Sequence, residues 1–138
     1  GIGCPVLGPD SWQGEMLAAA LPADYLQHVF YAAQYATDAK DPLSEDFAEA
    51  YYEMYGELPD SYAALGYDAF MLLAKAVENG QSVKREDIAE QLNQLKEYQG
   101  VTGNMIFDDH HNPVKAVYVM NFWEHEPAFL ERQEAADI

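Results

Sequence analysis

The strongest constraint on this chain is a change in the spacing of its apolar residues. Between Asp41 and Leu95 they recur at helical intervals, whereas after Gly100 they alternate with period two. The helical stretch is sharply punctuated. Asp41 is placed to cap a first helix, Pro42 suits its first turn, and Phe47, Tyr51 and Met54 or Tyr55 share one face; Gly56 ends it and Pro59 prevents continuation. A second helix is predicted over about 61–78, with an apolar stripe of Tyr62, Leu65, Ala69, Phe70, Leu73, Ala76 and Val77 and a stop at Asn79-Gly80. A third begins after Ser82, with Ile88, Leu92 and Leu95 on one face.

The flanking segments read as strands. Residues 4–7 are expected to form a short buried strand closed by Gly8-Pro9, with Cys4 a small buried side chain, and 28–35 a second strand rich in β-branched and aromatic residues. Two helical turns over 15–21 lie between them, with Ser11 or Gly14 near their start, and residues 38–41 read as a polar linker. On the far side, 104–123 reads as a hairpin: strand, turn at 108–113, and a second strand over 116–123. The tail, 124–138, is acidic and at best weakly helical. The order of elements points to an α/β class.

Charge narrows the function. Twenty-four acidic residues face seven basic ones, a formal charge of −17, which repels the phosphates of nucleic acids and anionic lipid headgroups. The single cysteine excludes an intramolecular disulfide. No apolar run has the length of a membrane span, and no basic segment followed by an apolar one marks a signal peptide. The start, Gly1-Ile2-Gly3-Cys4 without a Met, reads as a processed or excised piece.

Catalytic signatures are missing. Asp108-Asp109-His110-His111 has metal-ligand residue types, but adjacent ligands on a turn converge poorly on one ion, and the reading is a solvated hairpin turn with no metal. Gly100-Val101-Thr102-Gly103 lacks the Lys-Ser/Thr of a phosphate loop and reads as a bend. No Gly-x-Ser-x-Gly elbow surrounds any serine, so the chain is not expected to be an enzyme.

One stretch carries functional promise. In "PVLGPDSW", residues 5–12, an apolar run stops at Gly8-Pro9 and is followed at once by Asp10, Ser11 and Trp12. Ligands of α/β sheets sit beyond the carboxyl ends of strands, where a carboxylate can hold an ammonium group and an indole can wall the site. The residues leave two readings open: Asp10 as a ligand clamp, or Asp10 or Ser11 as the cap of the next helix with Trp12 in the core.

Three pieces in order (residues 5–12; Phe47 to Val77, with Gly66-Tyr67-Asp68-Ala69 inside it; and Tyr98 to Val119) resemble the C-terminal part of the type 1 periplasmic binding proteins, the leucine/isoleucine/valine-binding family of ABC importers. The resemblance runs from about Pro5 to Phe122. It implies a fragment of a two-lobed α/β fold, with strands, flanking helices and a C-terminal hairpin. Residues of about 1–38 and 98–124 would belong to the second lobe, and the helices of about 42–95 would pack on the first lobe.

The same resemblance implies that Asp10 binds the α-ammonium of an amino acid, with Ser11 and Trp12 at the cleft mouth and Tyr62 approaching from the other lobe. Tyr62 and Tyr67 also fit the core stripe of their helix. The implied function is that of an extracytoplasmic, periplasmic solute-binding component that closes on a branched-chain or related amine-bearing solute and docks on a membrane permease, with no cofactor and no nucleic acid. The alternatives are a sensory receptor of the same fold signalling to a protein partner, and an acidic interaction domain without a small ligand. An isolated fragment would expose apolar helix faces and could self-associate. Relatives usually carry Gly where this chain has His111, so His111 or Asn112 is expected to take a positive φ.

Overall fold

A computed structural model of the chain describes residues 3–12 and 14–135. The first strand, β1 (Val6–Gly8), leads through two short helices, α1 (Gly14–Ala20) and α2 (Ala23–Leu26), into β2 (Val29–Ala33). The helical block follows as α3 (Pro42–Tyr55), α4 (Ser61–Gly80) and α5 (Arg85–Gln94). Five strands complete the chain: β3 (Glu97–Gly100), β4 (Gly103–Phe107), β5 (Pro113–Lys115), β6 (Val117–Trp123) and β7 (Glu126–Gln133).

The strands make two sheets. One has the order β1-β2-β6-β7 and the other β3-β4-β5. β1 runs parallel to β2, pairing Val6 with Val29 and Gly8 with Tyr31, so both strands point their carboxyl ends the same way. β6 joins antiparallel to β2, and β7 folds back on β6. Strand β2 alternates buried Val29, Tyr31 and Ala33 with half-buried neighbours. Its Tyr31 and Ala33 form the main core with Ala36, Tyr118 and Met120. A second cluster joins Tyr35, Ala64 and Val101.

The caps of the helical block follow the sequence. Asp41 accepts a hydrogen bond from the Ser44 N–H at 3.2 Å, Pro42 opens α3, and Gly56 closes it at φ 76°. Asp60 caps α4 by accepting from the Ala63 N–H at 2.8 Å. The stop of α4 falls one residue later than expected, with Gln81 in the left-handed conformation. Gly80 instead serves the approach of α5, because a Cβ there would stand 3.1 Å from Gln91 Cγ.

The hairpin turn forms at Asp108. Its carboxylate accepts from the N–H groups of His110 and Asn112, both at 2.8 Å, and from the Asn112 side-chain amide at 3.0 Å. These bonds, led by the Asn112 amide, hold the carboxyl below its usual range. His111 takes φ 63°, one of the two positions expected to do so. The second arm of the hairpin, however, divides at Ala116: β5 stays with β4, whereas β6 crosses to β2 in the other sheet.

Three expectations are corrected. Cys4 is exposed, and Leu7 is 80% exposed, because β1 is a three-residue edge strand with one partner and an open outer face. The tail is not helical: Glu124 and His125 take positive φ, a tight two-residue turn that returns Glu126–Gln133 along the open edge of β6. The apolar stripe of α4 is only partly its buried face: Tyr62, Phe70 and Leu73 of the stripe are exposed and Ala76 is buried, while Ala64 and Asp68, outside the stripe, are buried. Small side chains let α4 approach Tyr35 and Val101 closely, leaving the large ones outside.

Candidate functional site

At the end of β1 the Trp12 indole lies directly over Gly8, so close that a Cβ at Gly8 would overlap the ring. The Trp12 N–H donates to Pro9 O at 3.1 Å, which makes Pro9–Trp12 a tight turn with Asp10 and Ser11 at its corner. Glycine is therefore needed for the ring to fold back, and the fold-back is what presents Asp10. Neither Asp10 nor Ser11 caps α1 through a side-chain bond among the described residues. Asp10 Oδ2 instead accepts from Gln34 Nε2, just past the end of β2, at 3.4 Å.

Beyond these two strand ends opens a cavity of about 620 Å³. Its walls come from the Asp10–Trp12 turn, the end of β2, the loop and first turn leading into α4, and the β6–β7 edge. Asp10, Trp12 and Tyr62 line it together, although the first two precede the helical block and Tyr62 lies within it, at the start of α4. Ser11 is exposed and does not line it. Tyr62 is 55% exposed, on the cavity side of α4 and outside the core. Tyr67 packs on Phe47 with ring centroids 4.9 Å apart.

The cavity is strongly acidic. Asp10, Glu15, Asp38, Glu57, Asp60 and Glu126 line it, and no Lys, Arg or His does so among the described residues. Two of these carboxylates have structural work: Asp60 caps α4, and Asp38 Oδ2 accepts from the Phe129 N–H at 3.0 Å. The Tyr31 hydroxyl, at the base of the cavity, is pushed far above its ordinary range, chiefly by burial and then by Glu15 and Asp38.

A buried polar chain supports the cavity from behind. Asp68 accepts from the N–H groups of Val101 and Thr102 at 2.8 and 2.9 Å and from the Thr102 hydroxyl at 2.7 Å. Lys115 Nζ donates to Thr102 Oγ1 at 2.6 Å and to the backbone oxygen of Gln34 at 3.3 Å. Burial lowers the Lys115 pKa to about 8, with Asp68 opposing the shift. Gln34 thus joins two systems, its side chain meeting Asp10 and its carbonyl meeting Lys115. The reading of the sequence did not single out Gln34, Lys115 or Asp68 as functional. Asp68 carried one signal, its place in Gly66-Tyr67-Asp68-Ala69; the other two have no local signature.

A family model described as periplasmic binding protein matches residues 2–125. The chain belongs to that family. Solved structures of similar shape include a leucine-binding protein of Thermotoga maritima, with 27% identity and a TM-score of 0.82; the match covers 96% of this chain and 38% of that one. Another is the branched-chain amino acid transporter substrate-binding protein of Streptococcus pneumoniae in complex with isoleucine, with 28% identity, a TM-score of 0.81, and 99% and 38% of the two chains covered. A solute-binding protein of R. palustris in complex with benzoate shares the fold at 22% identity and a TM-score of 0.75, over 97% of this chain and 37% of that one. No curated protein matches the chain. The chain spans little more than a third of these solved relatives and carries a fragment of the two-lobed periplasmic-binding-protein fold. Among the described residues no helix is long and apolar enough to cross a membrane.

Proposed function

We propose that this chain is the second-lobe side of an extracytoplasmic solute-binding protein of an ABC importer, and that it grips the ammonium group of an amino acid or related amine through Asp10. The observation that carries the reading is the convergence of Asp10, Trp12 and Tyr62 on one cavity beyond the carboxyl ends of two parallel strands. A carboxylate at the corner of a rigid turn offers a charge-assisted hydrogen bond, and the indole beside it excludes water from one side. Ligand bridging this surface to a facing lobe would favour the closed form, which a membrane permease would recognise.

The lobe assignment is part of the proposal. Residues 1–38 and 98–124 would form second-lobe structure, and the helices of 42–95 would pack on the first lobe. The apolar groove between α3 and α4, walled by Phe47, Tyr51, Met54, Tyr55 and Tyr67, supports that placement by leaving a face for a lobe to cover.

The test is a thermal-shift titration of the full-length protein against amino acids, amines and small carboxylates, wild type beside Asp10→Ala. A ligand at 100 times its dissociation constant stabilises by about 2.7 kcal/mol. A shift with an amine-bearing solute, lost in the variant, supports the reading. A response to carboxylates alone, or an amine response that Asp10→Ala leaves intact, removes Asp10 as the clamp.

A further inference from the structure

Resting on the reading of this cavity as the ligand site, we propose that its ligand is an organic cation with two positively charged nitrogen groups, of the basic amino acid or diamine type, and not a zwitterion with an apolar side chain. One α-ammonium needs one carboxylate, and Asp10 supplies it. The cavity holds more. With Asp38 and Asp60 engaged by backbone N–H groups, Glu15, Glu57 and Glu126 still face the same space, with no basic side chain lining it among the described residues. The ion pair Arg132–Glu134 lies outside it, and Lys115 turns its ammonium toward Thr102 and the Gln34 carbonyl. Closing a cleft around a net-neutral ligand would strip water from carboxylates that no described residue neutralises, at a cost that opposes closure. A second cationic group removes that cost.

An independent feature points the same way. Tyr31 is 5% exposed as a residue and lines the cavity, and its hydroxyl, which bonds to no described residue, is the part left open to that space. It lies against Gly14, where a Cβ would overlap it, so the absent side chain keeps the space in front of the hydroxyl open. That hydroxyl, which feels the charges of Glu15 and Asp38, opens to the cavity and is free to accept from a ligand N–H. Around it stand Trp12, Tyr35, Tyr51 and Tyr62, whose ring faces attract cations. Carboxylates and aromatic rings lining one cavity suit a ligand with charge at both ends and a methylene stem between.

The experiment is isothermal titration of the full-length protein with lysine, arginine, 1,5-diaminopentane, leucine and isoleucine, at low salt and at about 0.5 M salt. The proposal expects a dication to bind roughly tenfold or more tighter than leucine. Its affinity should fall with salt and should drop by about tenfold in Glu15→Gln or Glu126→Gln. Leucine or isoleucine binding as tightly as lysine and 1,5-diaminopentane overturns the dication proposal. The Asp10 clamp would survive that result if Asp10→Ala abolished the leucine binding. Failure of every amine to bind overturns both readings. A dication that binds equally well in both glutamine variants shows that the extra carboxylates do not select it, and overturns the proposal as well.

Discussion

Asp68 and Thr102 are joined twice: one carboxylate oxygen of Asp68 accepts both the backbone N–H and the hydroxyl of Thr102, at 2.9 and 2.7 Å. Both side chains are almost wholly buried, at 2% and 1% exposure. The pairing fastens α4 to the β3–β4 turn, and through Lys115 it reaches the strand end behind Asp10. A buried carboxylate is tolerable here because the other oxygen also has a donor, the Val101 N–H.

That geometry makes Gly100 indispensable. A Cβ at Gly100 would stand 2.5 Å from both Asp68 carboxylate oxygens. Asp68→Ala is expected to destabilise the protein by about 3 kcal/mol, since it leaves buried donors unpaired. Gly100→Ala is expected to cost about 2 kcal/mol alone by forcing the carboxylate aside. The two should not add: in the Asp68→Ala background the added methyl meets space, and Gly100→Ala should cost far less. Urea denaturation of the four proteins measures the coupling, and strict additivity would refute the contact.

How much of this was legible is best seen residue by residue. Asp41, Pro42 and Gly56 act within four residues of themselves, so punctuation placed α3 and the start of α4. The Gly8-Pro9 turn after the first strand was legible for the same reason, because its closing bond from Trp12 to Pro9 is local. The strand at Glu126–Gln133 was not, since its reason to exist is the open edge of β6 and not its own composition. Nor was the division of the hairpin at Ala116, where Lys115 and Val117, two positions apart, join different sheets. Gln34 and Lys115 are 81 positions apart, and only the folded chain brings them together.

The glycine under Trp12 offers a direct test of how the cavity is built. Gly8→Ala should push the indole away and unsettle the turn that carries Asp10. The expected result is a blue- or red-shifted Trp12 emission and loss of ligand affinity of roughly tenfold or more, measured with Trp123→Phe in the background so that Trp12 alone reports. Trp123 is 71% exposed and outside the cavity lining, which makes the replacement mild. Unchanged emission and affinity would show that the ring does not set the turn.

Capping can be separated from binding at the mouth of the cavity. Asp60 lines the cavity yet spends its carboxylate on the Ala63 N–H. Asp60→Ser keeps a capping oxygen and removes the charge, whereas Asp60→Ala removes both. The alanine variant is expected to lose about 1 kcal/mol of stability and the serine variant only a small fraction of that. A comparable loss in both, by denaturant midpoint, would mean that the charge and not the cap is what α4 uses.

Lys115 predicts a pH dependence whose sign follows from burial. The folded-state pKa is about 8 against an ordinary 10.5, so between those values the unfolded chain holds a proton that the folded chain has released. Stability contributed by this group therefore rises as pH increases from about 8 toward 10.5, and below 8 the protein bears the whole cost of a half-buried ammonium. Tyr31, Tyr35 and Tyr118 act oppositely near the alkaline end, because burial raises each of them. Comparing wild type with Lys115→Met cancels those tyrosines. The stability of Lys115→Met relative to wild type should thus be most favourable at neutral pH and should decline steadily through that window. Denaturation midpoints taken from about pH 7 to about pH 10 give the slope. A difference that stays flat with pH would mean that Lys115 keeps its ordinary pKa and that the cluster with Thr102 and Gln34 is open to water.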